Sequence, residues 1–149
     1  MKVGFVQFCP VRYDVACNIA MLEALIAGVK ADLLVLPELA NSGYMYATSA
    51  ALVPYAEPGD GTGPFLAALR RMAAEIGGMI VAGFAEQAAA GLYNSAAAVS
   101  AAFVAVIRPS TCAWATERRP SASSRSTCMS SATRAPFIVA PASRTGPSR

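Results

Sequence analysis

A chain of 149 residues, 55% of them hydrophobic, is long enough to bury the core of one domain. The absence of histidine excludes Ser-His-Asp and Cys-His nucleophile systems and any zinc site with histidine ligands. The four cysteines lack C-x-x-C spacing and no apolar run reaches the roughly 18 residues of a membrane span, so no metal site, disulfide framework or membrane segment is predicted.

The formal net charge of +3 is distributed unevenly along the chain. Residues 1–107 carry 5 basic and 8 acidic side chains, a net charge of −3, whereas residues 108–149 carry 7 arginines and one acid, a net charge of +6. A charge reversal of this kind usually marks a separate segment. The sequence therefore predicts two parts, residues 1–107 and residues 108–149.

The first part begins with alternating strand and helix patterns. Residues 3–8 are nearly all apolar and predict a buried strand. Residues 15–29 place apolar side chains at helical spacing behind a potential N-cap, Asp14, and residues 33–36 predict a second strand. Together they predict a β-α-β unit with a right-handed crossover.

The next stretch, residues 40–62, predicts a long loop with a short helix near residues 47–53. Long ordered loops beside a strand end are often functional. Pro64 suits the first turn of a helix that Gly77 and Gly78 end, and residues 79–84 and 92–99 predict two more strands.

Glu38 follows the second strand directly. Pro37 lacks the backbone N–H that a β-ladder needs, so strand pairing should end there. A carboxylate at this strand end is expected to be half-removed from water, which disfavours its charged form and suits a general base. From these residues alone, a solvated structural acid is the commoner outcome.

The surrounding motifs extend this interpretation. Leu36-Pro37-Glu38 followed by Ser42-Gly43-Tyr44 resembles the first catalytic signature of the nitrilase superfamily, the carbon–nitrogen hydrolases. Segments 3–10, 56–61, 81–86 and 92–96 are similar to further family elements, in family order, up to about residue 100. The resemblance implies an α/β fold, a partial four-layer α-β-β-α sandwich, in residues 1–107.

The family resemblance also implies a chemistry. Members use a Glu-Lys-Cys triad to hydrolyse non-peptide C–N bonds of small amides or nitriles, without a cofactor, and they commonly form homo-oligomers. Glu38 takes the position of the family base. Tyr44 and Asn94 are candidate substrate-binding residues, with packing at the core edge and a plain β-edge as their respective alternatives.

The other triad members are not recognisable in this sequence. Residues 100–109 lack the Asp-Gly type of turn that precedes the family lysine, and no lysine follows Lys30. Cys112 and Cys128 lie in contexts unlike the nucleophile signature. We therefore expect an inactive or nearly inactive chain. The alternative is a non-catalytic dimerisation module whose basic tail binds an acidic partner.

Residues 108–149 are rich in Arg, Ser, Pro and Ala and are expected to be disordered, apart from a short strand at residues 137–139. A reading-frame slip near residues 99–103 is the favoured explanation; a basic binding arm and a phosphorylated regulatory segment are the alternatives. Nucleic-acid and membrane partners are not expected. The lack of a signal-peptide pattern indicates the cytoplasm. Half of a sandwich would leave an apolar sheet face open, which predicts self-association.

Overall fold

A mixed β-sheet with two helices packed on one face makes up most of the described structure. The computed structural model describes residues 1–110 and, as backbone only, residues 138–141. Residues 111–137 and 142–149 lie outside the described residues, and with them most of the predicted tail, including Cys112 and Cys128.

Six strands and three α-helices occupy the described residues. The strands are β1 Lys2–Phe5, β2 Leu33–Val35, β3 Met79–Ala88, β4 Gly91–Val99, β5 Val104–Ile107 and β6 Ile138–Pro141. The helices are α1 Val15–Ile26, α2 Ser49–Leu52 and α3 Pro64–Ile76, and a 3-10 turn at Val53–Tyr55 follows α2. None of these helices is long and apolar enough to cross a bilayer.

The sheet has the strand order β5-β4-β3-β2-β1-β6. Strands β1, β2 and β3 run parallel, so their carboxyl ends lie at one edge of the sheet, here called the carboxyl edge. Strands β4 and β5 continue the sheet as an antiparallel meander, and β6 pairs antiparallel with β1. The β-α-β opening is as the sequence predicts.

The core lies between the sheet and the helices α1 and α3. Leu34, Ile80 and Phe84 project from the strands onto Leu22 of α1 and Phe65 of α3, and all five side chains are fully buried. Burial of this apolar area is the main stabilising term of the fold. Both helices therefore cover the same face of the sheet.

The opposite face, here called the open face, carries no long helix among the described residues. One cross-strand row on it consists of Phe5, Val35, Val81, Ala98 and Ala105. Within the part of the chain that the structure describes, this face is covered where β3 and β4 extend beyond the carboxyl edge. There Leu39 and Leu52 pack on Ala85 and Leu92. The open apolar face expected from the sequence is thus present within the described residues.

Several strand bounds differ from the sequence prediction. β1 ends at Phe5 rather than at residue 8, because β2 ends at Val35 and offers residues 7 and 8 no pairing partner. β5 was missed because its turn contains no glycine. Instead, the Ser100 hydroxyl accepts hydrogen bonds from the backbone N–H groups of Ala102 and Phe103, both at 3.2 Å.

Candidate active site

The segment after β2 is held against β3 as it passes the carboxyl edge. Leu36 N donates to Val81 O at 2.7 Å, Gly83 N donates to Pro37 O at 3.2 Å, and Ala40 N donates to Gly83 O at 2.9 Å. A Cβ atom on Gly83 would lie 2.6 Å from the Cα atom of Glu38, so only glycine allows this approach. The segment places Glu38 directly above β3.

The backbone immediately after Glu38 is strained. Leu39 has a φ of 46°, a left-handed conformation that costs a non-glycine residue roughly 1–2 kcal/mol. Its buried side chain packs on Leu52, which offsets this cost.

Glu38, Tyr44 and Asn94, the three predicted site residues, lie together at the carboxyl edge. The side-chain amide of Asn94 on β4 donates a hydrogen bond from Nδ2 to Oε1 of Glu38. The Tyr44 hydroxyl donates to the backbone carbonyl of Glu38 at 2.6 Å. Their proximity is a structural observation; their roles in catalysis and substrate binding stay predictions.

The expected half-burial of Glu38 is wrong, because the residue is exposed. Among the described residues β3 lies beneath its backbone, and Asn94 of β4 and the loop that carries Tyr44 contact it from the sides. Tyr44 is itself 39% exposed. Partial burial, with smaller effects of the nearby Glu38 and Cys9 charges, raises the pKa of Tyr44, so its hydroxyl remains a donor at neutral pH.

A buried amide network fixes the loop that carries Tyr44. Asn41 Oδ1 accepts from Ala85 N at 2.9 Å, and Asn41 Nδ2 donates to Tyr55 O at 3.1 Å. Asn18 of α1 donates to the carbonyl of Asn41 at 2.9 Å. The two asparagines are fully buried, and each links segments distant in the sequence. The role of Asn41 was not predicted from the sequence, because its partners are backbone groups of β3 and the 3-10 turn.

A second acidic side chain, Glu86 on β3, is fully buried and fully hydrogen-bonded. Ser95 Oγ donates to its Oε2 at 2.6 Å, Arg108 Nε donates to the same oxygen at 2.8 Å, and Arg108 Nη2 donates to Oε1. The arginine hydrogen bonds lower the pKa of Glu86 despite its burial. The Arg108 guanidinium also lies 5.2 Å from the centre of the Tyr93 ring.

A third acid, Glu57, closes the N-terminus of α3. Its two carboxylate oxygens accept hydrogen bonds from the backbone N–H groups of Phe65 and Leu66, both at 2.8 Å. Burial raises the pKa of Glu57 although these hydrogen bonds oppose the shift. Because both oxygens are used by the helix, Glu57 has a structural role.

No metal site is formed within the described residues, where no group of three or more His, Cys, Asp or Glu side chains is suitably clustered. The two lysines also lie away from Glu38: Lys2 begins β1 and Lys30 precedes β2, both at the edge opposite the carboxyl edge. The carboxyl edge therefore offers a carboxylate, an amide, a phenol and the exposed thiol of Cys9.

Comparison with known proteins identifies the family. The family model described as carbon-nitrogen hydrolase matches residues 2–134, beyond residue 100, where the motif-by-motif resemblance ends. No protein of curated function matches the chain.

Solved structures share the fold. A crystal structure of N-terminal amidase with a Gln-Val peptide has a TM-score of 0.66 and 24% identity, over 72% of this chain and 27% of that one. XC1258 from Xanthomonas campestris, a CN-hydrolase superfamily protein with an arsenic adduct in its active site, has a TM-score of 0.64 and 24% identity, over 72% and 40%. A carbon-nitrogen hydrolase from Helicobacter pylori gives 0.52 and 19%, over 72% and 39%.

The chain spans 27% to 40% of the length of these solved structures. At such low identity the likeness shows the fold alone, and it confirms the predicted layered α/β architecture. Because the family model covers most of the sequence, the recognition made from the motifs is also confirmed: the chain belongs to the carbon–nitrogen hydrolase family of the nitrilase superfamily.

Proposed function

We propose that this chain carries the proton-accepting acid of a hydrolase site for small carboxamides or nitriles, and that this acid is Glu38. The observation that carries the proposal is the hydrogen bond from Asn94 Nδ2 to Glu38 Oε1 at the carboxyl edge. A carboxylate held by one oxygen keeps a lone pair on the other for an incoming proton.

The proposed chemistry follows the family triad. As a thiol sulfur forms its bond to the substrate carbon, the thiol proton passes to Glu38, and a cationic side chain stabilises the oxyanion. Glu38 then gives this proton to the amide nitrogen, which leaves as ammonia, and a thioester remains. Water attacks the thioester carbon and gives a proton to Glu38, which passes it to the departing thiolate, so that the acid and the thiol are released.

The proposal includes the expectation that this chain has little or no hydrolase activity. The sequence has no lysine after Lys30, and both of its lysines lie at the edge opposite Glu38. Neither Cys112 nor Cys128 has the sequence context of the nucleophile. Loss of members of a catalytic unit typically costs on the order of 10³–10⁶ in rate.

An amidase assay tests the expected lack of activity. Ammonia release is measured for short aliphatic amides, carbamoyl amides, nitriles and a Gln-Val peptide, the last being the peptide present in the N-terminal amidase structure. The matched control is Glu38→Gln, which keeps an acceptor for Asn94 but cannot take a proton. We expect no turnover above this control. Turnover well above it would contradict inactivity and support Glu38 as the base.

The open face favours a second candidate, a non-catalytic module that self-associates. The apolar row on this face, in which Phe5 and Val35 are exposed, and the exposed side chain of Ile107, 77% accessible, support it. The net charge of +6 on residues 108–149 would then serve an acidic partner. Light scattering of the chain tests self-association, and a monomer at every concentration would contradict it.

A further inference from the structure

The open face of the sheet is apolar across five strands. Its row of side chains includes the exposed Phe5 and Val35, and every position of strands β1 to β5 that faces this side is uncharged. Successive side chains of a strand alternate between the two faces, and the other set is the one packed on α1 and α3. The open face is therefore a packing surface as wide as the sheet, with no helical layer below the carboxyl edge among the described residues.

The size of the side chains changes across this face. On β1 and β2 it carries Phe5 and Val35, whereas at the same level on β4 and β5 it carries Ala98 and Ala105. Val81 of β3 lies between them in the same row. One half of the face is thus raised and the other half is low. A twofold axis along β3 would place the raised half of one copy on the low half of another, which is the self-complementarity that a symmetric dimer requires.

A protruding side chain and a depression repeat this complementarity near the carboxyl edge. Ile107 ends β5 and is 77% exposed, although it lies in a strand. A depression of about 270 Å³ lies on the other half of the sheet, at the ends of β1 and β2, where residues 5–8 and 35–37 line it. Gln7 alone among these residues has a polar side chain, so the depression suits an aliphatic group.

Ile107 and the depression lie at the same height along the strands. Ile107 is two residues beyond Ala105, and residue 37 is two residues beyond Val35, which belongs to the same cross-strand row as Ala105. Rotation about an axis parallel to the strands keeps this height. It also carries β5 of one copy over β1 of the other, because both strands lie two positions from β3. Each Ile107 therefore meets the depression of the other copy, in the nearly aligned packing, about 30° apart, that stacked sheets adopt.

Other occupants of the open face fit less well. Residues 111–137, which lie between β5 and β6 in the sequence, contain no Val, Ile or Leu and carry four arginines, so they offer little apolar area to cover it. An anionic membrane surface would be repelled by the net charge of −3 on residues 1–107. A second copy of the chain supplies both the apolar area and the matching shape.

We propose that two copies of this chain pack open face to open face about a twofold axis parallel to the strands, with Ile107 of each copy in the depression of the other. This inference rests on the second candidate function, self-association, and it names the partner, the face and the packing. The contact closes on itself, so association stops at the dimer. Only short strand segments take part, fewer residues than the roughly 20–30 a side of a standard interface, so the dimer dissociates on dilution.

Sedimentation velocity of the full chain over a concentration series tests this packing. Wild type should pass from monomer to dimer as the concentration rises, without larger species. We expect Ile107→Asp to raise the dissociation constant at least about 100-fold, because the symmetric contact buries the new charge twice. Ile107 is exposed in the single copy, so this variant should keep the wild-type urea midpoint. Ala105→Asp on the same strand gives the same test if Ile107→Asp does not fold.

Val11→Asp is the matched control. It also replaces an exposed, branched aliphatic side chain with a carboxylate, but Val11 lies in the loop before α1, where its backbone N–H donates to Asn18 of that helix. The dissociation constant should stay as in wild type.

A compensating pair of substitutions tests the contact itself. Val35 lines the depression, so in the double variant Ile107→Asp/Val35→Lys the two new charges of opposite copies would face each other. The dimer should then return in part, which a non-specific apolar contact would not give. No recovery would contradict the seating of Ile107 in the depression.

The outcomes separate this inference from both candidate functions. A dimer that persists in Ile107→Asp and Ala105→Asp would overturn the open-face packing and leave self-association in place. Equal weakening by Val11→Asp, or growth beyond the dimer, would also overturn it. A monomeric wild type would overturn both, and NMR contacts of the Ile107 methyl groups with residues 111–137, or co-sedimentation with phosphatidylcholine vesicles, would then identify the occupant. The amidase assay is independent of these results.

Discussion

Two buried acids, Glu57 and Glu86, differ in the direction of their pKa shifts because they have different partners. Glu57 accepts from neutral backbone N–H groups, so the cost of burying its charge dominates and its pKa is raised. Glu86 accepts from a guanidinium, and its pKa is lowered. The same residue type thus responds to pH in opposite ways, according to whether neutral donors or a cation surround it.

The Glu86–Arg108 pair predicts a loss of stability in acid. Because the folded-state pKa of Glu86 lies below the ordinary value of 4.5, the pair stabilises the fold fully above that value and progressively less as the pH falls. Arg108→Met should lower the urea midpoint at pH 7, and the difference from wild type should close as the pH falls below about 4.5.

The control for this prediction is Arg71→Met, which removes only an exposed ion pair with Glu23. It should change the urea midpoint little at any pH, because exposed pairs contribute little. A constant difference between Arg108→Met and wild type across the acid range would contradict the assignment of the pair.

At the level of elements, the site depends on how closely β3 approaches the segment after β2. Gly83 forms hydrogen bonds with Pro37 and Ala40 and lies against the backbone of Glu38. These contacts fix the position of the Glu38 backbone relative to the sheet. The buried amides of Asn18 and Asn41 hold the following loop. Few of these contacts involve α1 or α3 side chains, so the site is a product of the sheet and one loop.

Gly83→Ala tests this dependence. The added methyl group would overlap the Glu38 backbone, which must shift, and we expect a loss of about 1–3 kcal/mol in the free energy of unfolding by urea denaturation. The NMR signals of the Asn94 side-chain amide protons should also shift. Gly77→Ala, at a helix end with φ of 74° and no atom within 4 Å of the new Cβ, should destabilise without moving them. Unchanged Asn94 signals in Gly83→Ala would contradict the close approach.

For the whole molecule, local sequence patterns predicted the elements whose signals lie within one short stretch of chain. The apolar run 33–36 before Pro37 placed Glu38 at a strand end, and helical spacing placed α1 and α3. The Ser100 turn and the β5 pairing that follows it were not predicted, because a serine hydroxyl rather than a glycine forms this turn. The Glu86–Arg108 pair was not predictable from local patterns, because it joins a residue of β3 to the residue that follows β5. The exposure of Glu38 also differs from the prediction, because the burial of a side chain depends on which other segments of the chain pack over it.

The domain division at residue 107 stays a prediction. Arg108 contacts Glu86 and Tyr93, and the strand predicted at residues 137–139 corresponds to β6 at Ile138–Pro141, which pairs with β1. The reading-frame and disorder hypotheses for the tail concern residues that lie mostly outside the described structure.

The Glu38 carboxylate, held by Asn94 at the carboxyl edge, is the group on which the proposed reaction depends. The direct measurement is the NMR signal of the Asn94 side-chain amide protons at neutral pH in wild type and in Glu38→Gln. We expect the signals of the two proteins to differ, because Asn94 donates to a carboxylate in wild type and to a neutral amide in the variant. Identical signals in both proteins would show that Asn94 does not contact the Glu38 carboxylate.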